Sequence, residues 1–501
     1  MSKDLKKLME SADQAVNNED FAQAETMYQA ALWEAERTND PSTIANCLDR
    51  LAEVLFDQGK YVESEPIYKR ALEIREQQLG PHNEEIVQSL NNLSAVYFFQ
   101  EKFELAEPLC VRLTEIYERV LGNDNPEVAT SYNNLALLYT AQKKYHPAES
   151  LYKRSLELKT NLYGDKHPEV GDILQNLGTL YFNQERYADA ETLLKQSLSI
   201  LENALGEGHA DLEILLVNLA QVLEHNGKYL DSSKIYEKIL SIKEIQLGPT
   251  HPEIIQMLKL VSKSYARRAK YDEAERFLKR ALTIWERSQG KSSPQGADLY
   301  SLLGELNQEQ KKISQAENYY RDALAAAQTA MGANHVETIE KQKQLADFYL
   351  TFNRPAKAQP HLEKIVELQG KASISNPDLD GGNLARADLA ECLFAQQKFG
   401  EAKKIFEDIK EYYDQKAQKD SEAFGCSLHY LAELERKEKK FDMAEVLFKR
   451  AIDVRTRVLG AQHLDVGKSL QAYADLLTET YREGEAEHLK ACAKAIFDTN
   501  K

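Results

Sequence analysis

Apolar and polar residues follow the 3–4 step of a helix along this chain, and the step stops and restarts at regular intervals. In NNLALLYTAQKKYHPAESLYKRSLELKTNLYGDKHPEV, from Asn133 to Val170, Leu135, Ala136 and Tyr139 share one face. Tyr145, Ala148, Tyr152 and Ser155 share the face of a second segment, so the spacing predicts two amphipathic helices joined by a short turn. No run alternates with period two, so strands are not predicted.

The same phrase recurs. The aromatic that follows the basic residue in KKY, ERY and GKY falls at Phe21, Tyr61, Phe103, Tyr145, Tyr187, Tyr229 and Tyr271. Ile313, Pro355, Phe399 and Phe441 hold the same place, and a degenerate last copy puts Gly484 near it. The step is 40, then 42 as far as Pro355, then 44, then 42. About twelve helix–turn–helix units therefore cover nearly the whole chain. The place of Ala148 is held only by alanine or serine (Ala24, Ser64, Ala106, Ala190 and so on to Ala486), as close helix–helix approach requires.

The punctuation has a mechanism. Gly80, Gly122, Gly164, Gly206, Gly248, Gly290, Gly332 and Gly460 follow the second helix, where a left-handed residue suits a C-terminal cap. Asn125-Pro126-Glu127, His167-Pro168-Glu169 and His251-Pro252-Glu253 come next: a capping side chain, proline on the first helical residue, then an acid in the first turn. One such hairpin cannot bury its own apolar face, so each copy serves as the floor for the next.

This pattern resembles the tetratricopeptide repeat. The order L-[AGS]-x-x-Y…A-x-x-x-[YFC]…A runs from about Pro41 to Ala486, and the LNNLA, AEPLC and LG-x-x-HPEV phrases resemble the 42-residue kinesin-light-chain variety. The resemblance implies an all-α solenoid, a right-handed superhelix whose concave groove reversibly binds a peptide or protein segment. The implied function is a non-enzymatic adaptor or scaffold; the alternative is a regulatory or sensor subunit controlling a separate effector enzyme. Kinesin light chains carry a heptad coiled coil before the repeats. Here the first repeat begins almost at Met1, which leaves association with a motor chain open.

Composition narrows the partners. With 43% apolar and 29% charged residues the chain can bury a core and stay soluble. A net charge of −17 repels nucleic-acid backbones and anionic membranes. The start, MSKDLKKLMESADQ, has no secretory signal, and no apolar stretch approaches the roughly 20 residues of a spanning helix. Five scattered cysteines without a CxxC pair fit reduced thiols in a cytoplasmic protein. His167, His209, His251, His335 and His463 fall in the same turn of separate units, which suits capping and cannot converge on one metal ion. No nucleotide-binding, nucleophile-elbow or zincin motif occurs, so no enzymatic activity, cofactor or metal is expected.

By the same resemblance, the first helix of each unit lines the groove, and the residue before its leading Leu is often an Asn that clasps the backbone of an extended ligand. That place reads Asn92, Asn134, Asn176 and Asn218, then Leu260, Leu302, Gln344, Asp388 and Tyr430. An amide both donates and accepts, so such a ladder pairs with a peptide whatever its side chains; alternatively each Asn bonds a neighbouring helix and orders the stack. Lys259, Lys263 and Arg267, spaced i, i+4, i+8, form a seat for an acidic motif or a C-terminal carboxylate, unless Glu305 and Glu309 pair with Lys263 and Arg267 instead. Phe98, Phe99 and Phe182 are either ligand pockets or core.

Three segments are expected. Residues 1–369 hold about nine repeats, 370–382 (GKASISNPDLDGG) form a longer loop or hinge, and 383–501 hold the last repeats with a C-terminal capping helix. Between Lys416 and Ser421 the Gly turn is missing.

Overall fold

The computed structural model describes residues 3–288, 294–375, 381–415 and 420–500. Among them are twenty-four α-helices, two short 3-10 turns and no strand. The helices pair as twelve consecutive hairpins, from Lys3–Asn17 with Phe21–Thr38 to Leu464–Glu479 with Glu483–Thr499. The ruler residue opens the second helix of every hairpin from Phe21 to Phe441; in the last, the helix opens at Glu483.

The turn within a hairpin is a backbone device. Lys144 N–H donates to the Tyr139 carbonyl at 2.8 Å and Lys143 N–H to Thr140 at 3.0 Å, the paired bonds of a Schellman cap. The motif repeats as Lys102 to Tyr97, Arg186 to Tyr181 and Lys440 to Glu435. It requires a left-handed residue two places before the ruler, and Glu101, Lys143, Glu185, Lys311 and Lys439 all have φ near +60°. Only Gly59 and Gly227 fill this place with glycine. The left-handed cap thus closes the first helix.

The glycines after the second helix behave differently from expectation. Gly164 has φ 84° and ψ 163°, and Gly80, Gly122, Gly206, Gly248, Gly332 and Gly460 are alike. That is a glycine-only extended conformation, not a left-handed helical one. Gly290 lies outside the described residues. The chain then enters the next first helix through the expected caps. Asn125 Oδ1 accepts from Glu127 N–H, and the Nδ1 atoms of His167, His209, His251, His335 and His463 accept likewise two residues on. The five histidines are caps.

The small position is where each pair of helices touches. Ala24, Ser64, Ala106, Ala148, Ala190 and Ser232 are 0% exposed, and the later copies through Ala486 reach at most 1%. A basic residue beside the ruler reaches back to the carboxylate four residues after the preceding ruler. These joints are Lys60–Glu25, Lys102–Glu65, Lys144–Glu107, Arg186–Glu149 and Lys228–Glu191, then Lys312–Glu275, Arg354–Glu317 and Arg482–Glu445, at 2.7–3.6 Å. Lys403 inverts the joint and meets Glu435 and Glu438, each at 2.9 Å. The basic half of KKY and ERY therefore ties hairpin to hairpin.

The described chain divides into two compact units, Met1–Pro249 and Thr250–Lys501. Of the stretch read as a loop at 370–382, residues up to Ser375 continue the helix Pro355–Ser375, and Gly381 opens the next helix. Residues 376–380 lie outside the description, as do 416–419, where the Gly turn is missing.

Candidate ligand-binding face

Each first helix buries one face and leaves one stripe open. On Pro126–Ala141, Val128, Ala129, Tyr132, Leu135, Ala136 and Leu138 are buried, while Thr130, Asn133 and Leu137 are half-buried and Asn134 is exposed. In Met1–Pro249 the stripes of successive first helices are linked. Asn176 Nδ2 donates to Asn133 Oδ1 at 3.0 Å, and Asn218 Nδ2 donates to Thr179 Oγ1 at 3.1 Å. Asn92 Oδ1 accepts from Gln88 one turn earlier at 2.7 Å. Asn134 makes no side-chain hydrogen bond among the described residues. The four amides thus share one register, and three of them already have a partner.

Lys259, Lys263 and Arg267 lie along the stripe of Ile254–Arg267, the first half-buried and the others exposed. Lys259 and Lys263 form no ion pair among the described residues, so Glu305 and Glu309 do not neutralise Lys263. The aromatics sit at hairpin turns. Phe99 stacks on Tyr61 of the preceding hairpin at 5.2 Å, Phe98 meets Phe103 edge-on at 5.6 Å, and Phe182 meets Tyr187 and His225 at 5.8 and 5.7 Å.

The place of Lys263 turns acidic in every later repeat, a column the sequence reading passed over: Glu305, Asp347, Glu391, Glu433 and Asp475. It was visible by applying the repeat step one helical turn after the Asn position. Burial pushes the Asp347 carboxyl up to about 6, with Asp388 and Glu391 adding repulsion against the pull of Lys343. Desolvation likewise raises Glu305, Glu391 and Glu433, helped by Asp298, by Asp388 and Asp465, and by Asp475 and Glu479 respectively. Glu433 is paired with Arg436 at 3.4 Å, whereas Glu305, Asp347 and Glu391 form no ion pair among the described residues.

Two cavities bear on function. A 730 Å³ cleft between the second helices Tyr145–Tyr163 and Tyr187–Leu205 has only Asp165 and Lys166 as charged lining, so it lacks a convergent set of groups. A smaller cavity of 150 Å³ opens beside the acidic column; its polar lining is Asp388, Glu391, Glu422, Cys426, His429 and Tyr430 together with Arg455, Asp465 and Lys468.

Among the described residues no helix is long and apolar enough to cross a membrane. A comparison with curated proteins finds no match. Solved structures with similar repeats include BtubC (BKLC) from P. vanneervenii, 21% identical over 49% of this chain and 92% of its own, with a TM-score of 0.38. The C-terminal part of a TPR repeat-containing protein from Cytophaga hutchinsonii is 13% identical over 58% of this chain and 98% of its own, at 0.41. The apo form of the quorum sensor NprR from B. thuringiensis is 15% identical over 73% and 99%, at 0.43. A family model for the tetratricopeptide repeat matches residues 7–77, 40–109, 85–161, 148–203, 211–287, 261–329, 297–371 and 424–499. With twelve helical hairpins in the same register, the chain belongs to the tetratricopeptide repeat family.

Proposed function

We propose that the protein is a non-enzymatic adaptor that captures a peptide or protein segment on the open stripe of its first helices. The observation that carries this reading is the set of polar groups left without partners on that stripe. In Met1–Pro249 the Asn134 amide, and in Thr250–Lys501 the Lys259 and Lys263 ammonium groups, form no side-chain hydrogen bond or ion pair among the described residues. Within Met1–Pro249 an extended segment satisfies the Asn134 amide through its backbone, and within Thr250–Lys501 a carboxylate satisfies the two lysines.

The test is capture from native lysate by the full chain, read by mass spectrometry, followed by affinity measurements on the segments identified. Asn134→Ala combined with Lys259→Glu and Lys263→Glu removes one amide and inverts two charges. Binding should fall about tenfold or more while the melting temperature holds. Unchanged affinity for every captured segment would return these residues to the scaffold.

A further inference from the structure

The 150 Å³ cavity in Thr250–Lys501 is small, on the scale of a side-chain head. Asp388 is paired with Lys343 at 3.1 Å, and Asp465 with Lys468 at 2.8 Å. Glu391, half-buried, and Glu422, exposed at the mouth, form no ion pair among the described residues. The Tyr430 hydroxyl leans on Glu391.

His429 adds an acceptor. It is only 7% exposed, and its Nδ1 lies 3.2 Å from Ser469 Oγ. That hydroxyl donates to the Asp465 carbonyl at 3.0 Å and receives Arg455, itself 5% exposed, at 2.6 Å. Arg455 also donates to that carbonyl, at 2.9 Å; with the hydroxyl's one proton on the carbonyl, the ring donates from Nδ1 and Nε2 keeps its lone pair. Burial, with Arg455 nearby, keeps the ring neutral. Nε2 makes no hydrogen bond among the described residues. Two carboxylates and a bare imidazole nitrogen therefore face a small cavity with no donor assigned to them beyond Tyr430.

We propose that this cavity seats the guanidinium of an arginine carried by a basic segment that lies along the acidic column. The proposal rests on the segment-binding reading above and names the chemistry of one partner. A planar fork of five donors can reach Glu391, Glu422 and Nε2 together, whereas an ammonium is a single compact charge. Glu391 belongs both to the cavity and to the column, whose neighbouring members in the repeat register are Asp347 and Glu433. That continuity favours an arginine within a basic segment over a free small cation.

A fluorescein-labelled hexa-arginine peptide is titrated against the full chain, with hexa-lysine and free arginine as comparisons. Hexa-arginine should bind about tenfold or more tighter than hexa-lysine. Glu391→Gln with Glu422→Gln should weaken it about tenfold, while Glu63→Gln with Glu104→Gln, the same charge change at exposed positions in Met1–Pro249, should change it less than about twofold. Glu422→Gln alone serves if the pair does not fold. Equal losses in both pairs would reduce the effect to long-range field, and equal affinity for hexa-lysine would remove the guanidinium seat. Free arginine as tight as the peptide would make this a small-molecule site. Capture of arginine-free segments that compete with none of these probes would overturn the inference and leave the adaptor reading standing.

Discussion

Lys228 Nζ lies 2.7 Å from Glu191 Oε1 and joins the turn of one hairpin to the second helix of the hairpin before it. Lys195 reaches the same carboxylate at 2.7 Å and the Asn226 amide donates to its other oxygen at 2.7 Å. Desolvation works to raise this carboxyl, yet the three bonds bring it down to about 2. The glutamate side chain is 8% exposed while both lysines are about half exposed, so the acid holds the joint and each lysine is replaceable.

Glu191→Gln should therefore loosen the joint by about 1–2 kcal/mol, and Lys228→Ala by under about 1 kcal/mol. Amide hydrogen exchange along Tyr187–Leu205 is the suitable readout, because repeat arrays open locally and a global unfolding curve averages over them. A larger loss for the lysine than for the glutamate would invert the assignment.

The small position makes a sharper demand. Ala148 and Ala190 have no exposed surface, so Ala148→Leu or Ala190→Leu forces extra volume between the two helices of one hairpin. Each should cost about 1–3 kcal/mol, seen as faster exchange in that hairpin and its neighbours. Leucine at Ala148 with unchanged exchange would mean that the hairpins do not close as described.

The two kinds of turn predict opposite responses to glycine. Lys143 sits at φ 60°, exposed, where a side chain is strained. Lys143→Gly should raise stability by up to about 1 kcal/mol, the relief of left-handed strain less the entropy glycine loses on folding. Gly164, with ψ 163°, lies where other residues seldom go, and Gly164→Ala should cost about 1–3 kcal/mol although nothing lies within 4 Å of an added Cβ. Equal effects of the two changes would show that backbone conformation does not decide these sites.

These cases mark what could be read from the chain. Hairpin number, the ruler residues, the small column and the histidine caps all rest on local spacing, which a repeat states twelve times. The left-handed turn was missed because ordinary residues such as Glu101 and Lys143 occupy it, and no residue type announces it. Joints such as Arg186 to Glu149 span nearly a full repeat, so pairing emerges only once the hairpins are stacked. The Asn ladder was legible as a register but not as a set of partners. Whether Asn176 bonds Asn133 or faces solvent depends on the angle between adjacent first helices, which spacing alone leaves open.

Titration separates the acidic column from the joints by sign. Unfolded carboxyls titrate near about 4. Asp347, pushed up to about 6 chiefly by burial, costs stability at neutral pH, and protonation relieves that cost as pH falls through its folded value. Glu305, Glu391 and Glu433 shift the same way, while half-buried His361 and buried His429 shift down and lose stability over the same window. The carboxyl contribution is therefore read as the wild-type against Asp347→Asn difference in exchange between about pH 7.5 and about pH 5.5. Glu65 and Glu191, brought down to about 2 by their lysines against desolvation, have the opposite sign: their contribution is complete above about pH 4 and fades as pH falls towards about 2. The carboxyl share of the stability should thus rise on mild acidification, against the histidines, before the joints fail in stronger acid. Asp347→Asn should remove part of that rise and leave the acid limb alone, because the joints do not involve it. Hydrogen exchange of Val336–Thr351, corrected for the intrinsic pH dependence of exchange, measures the effect. Wild type and Asp347→Asn responding identically from neutral pH downward would show that Asp347 carries no such cost, and the basic segment proposed for the column would lose support.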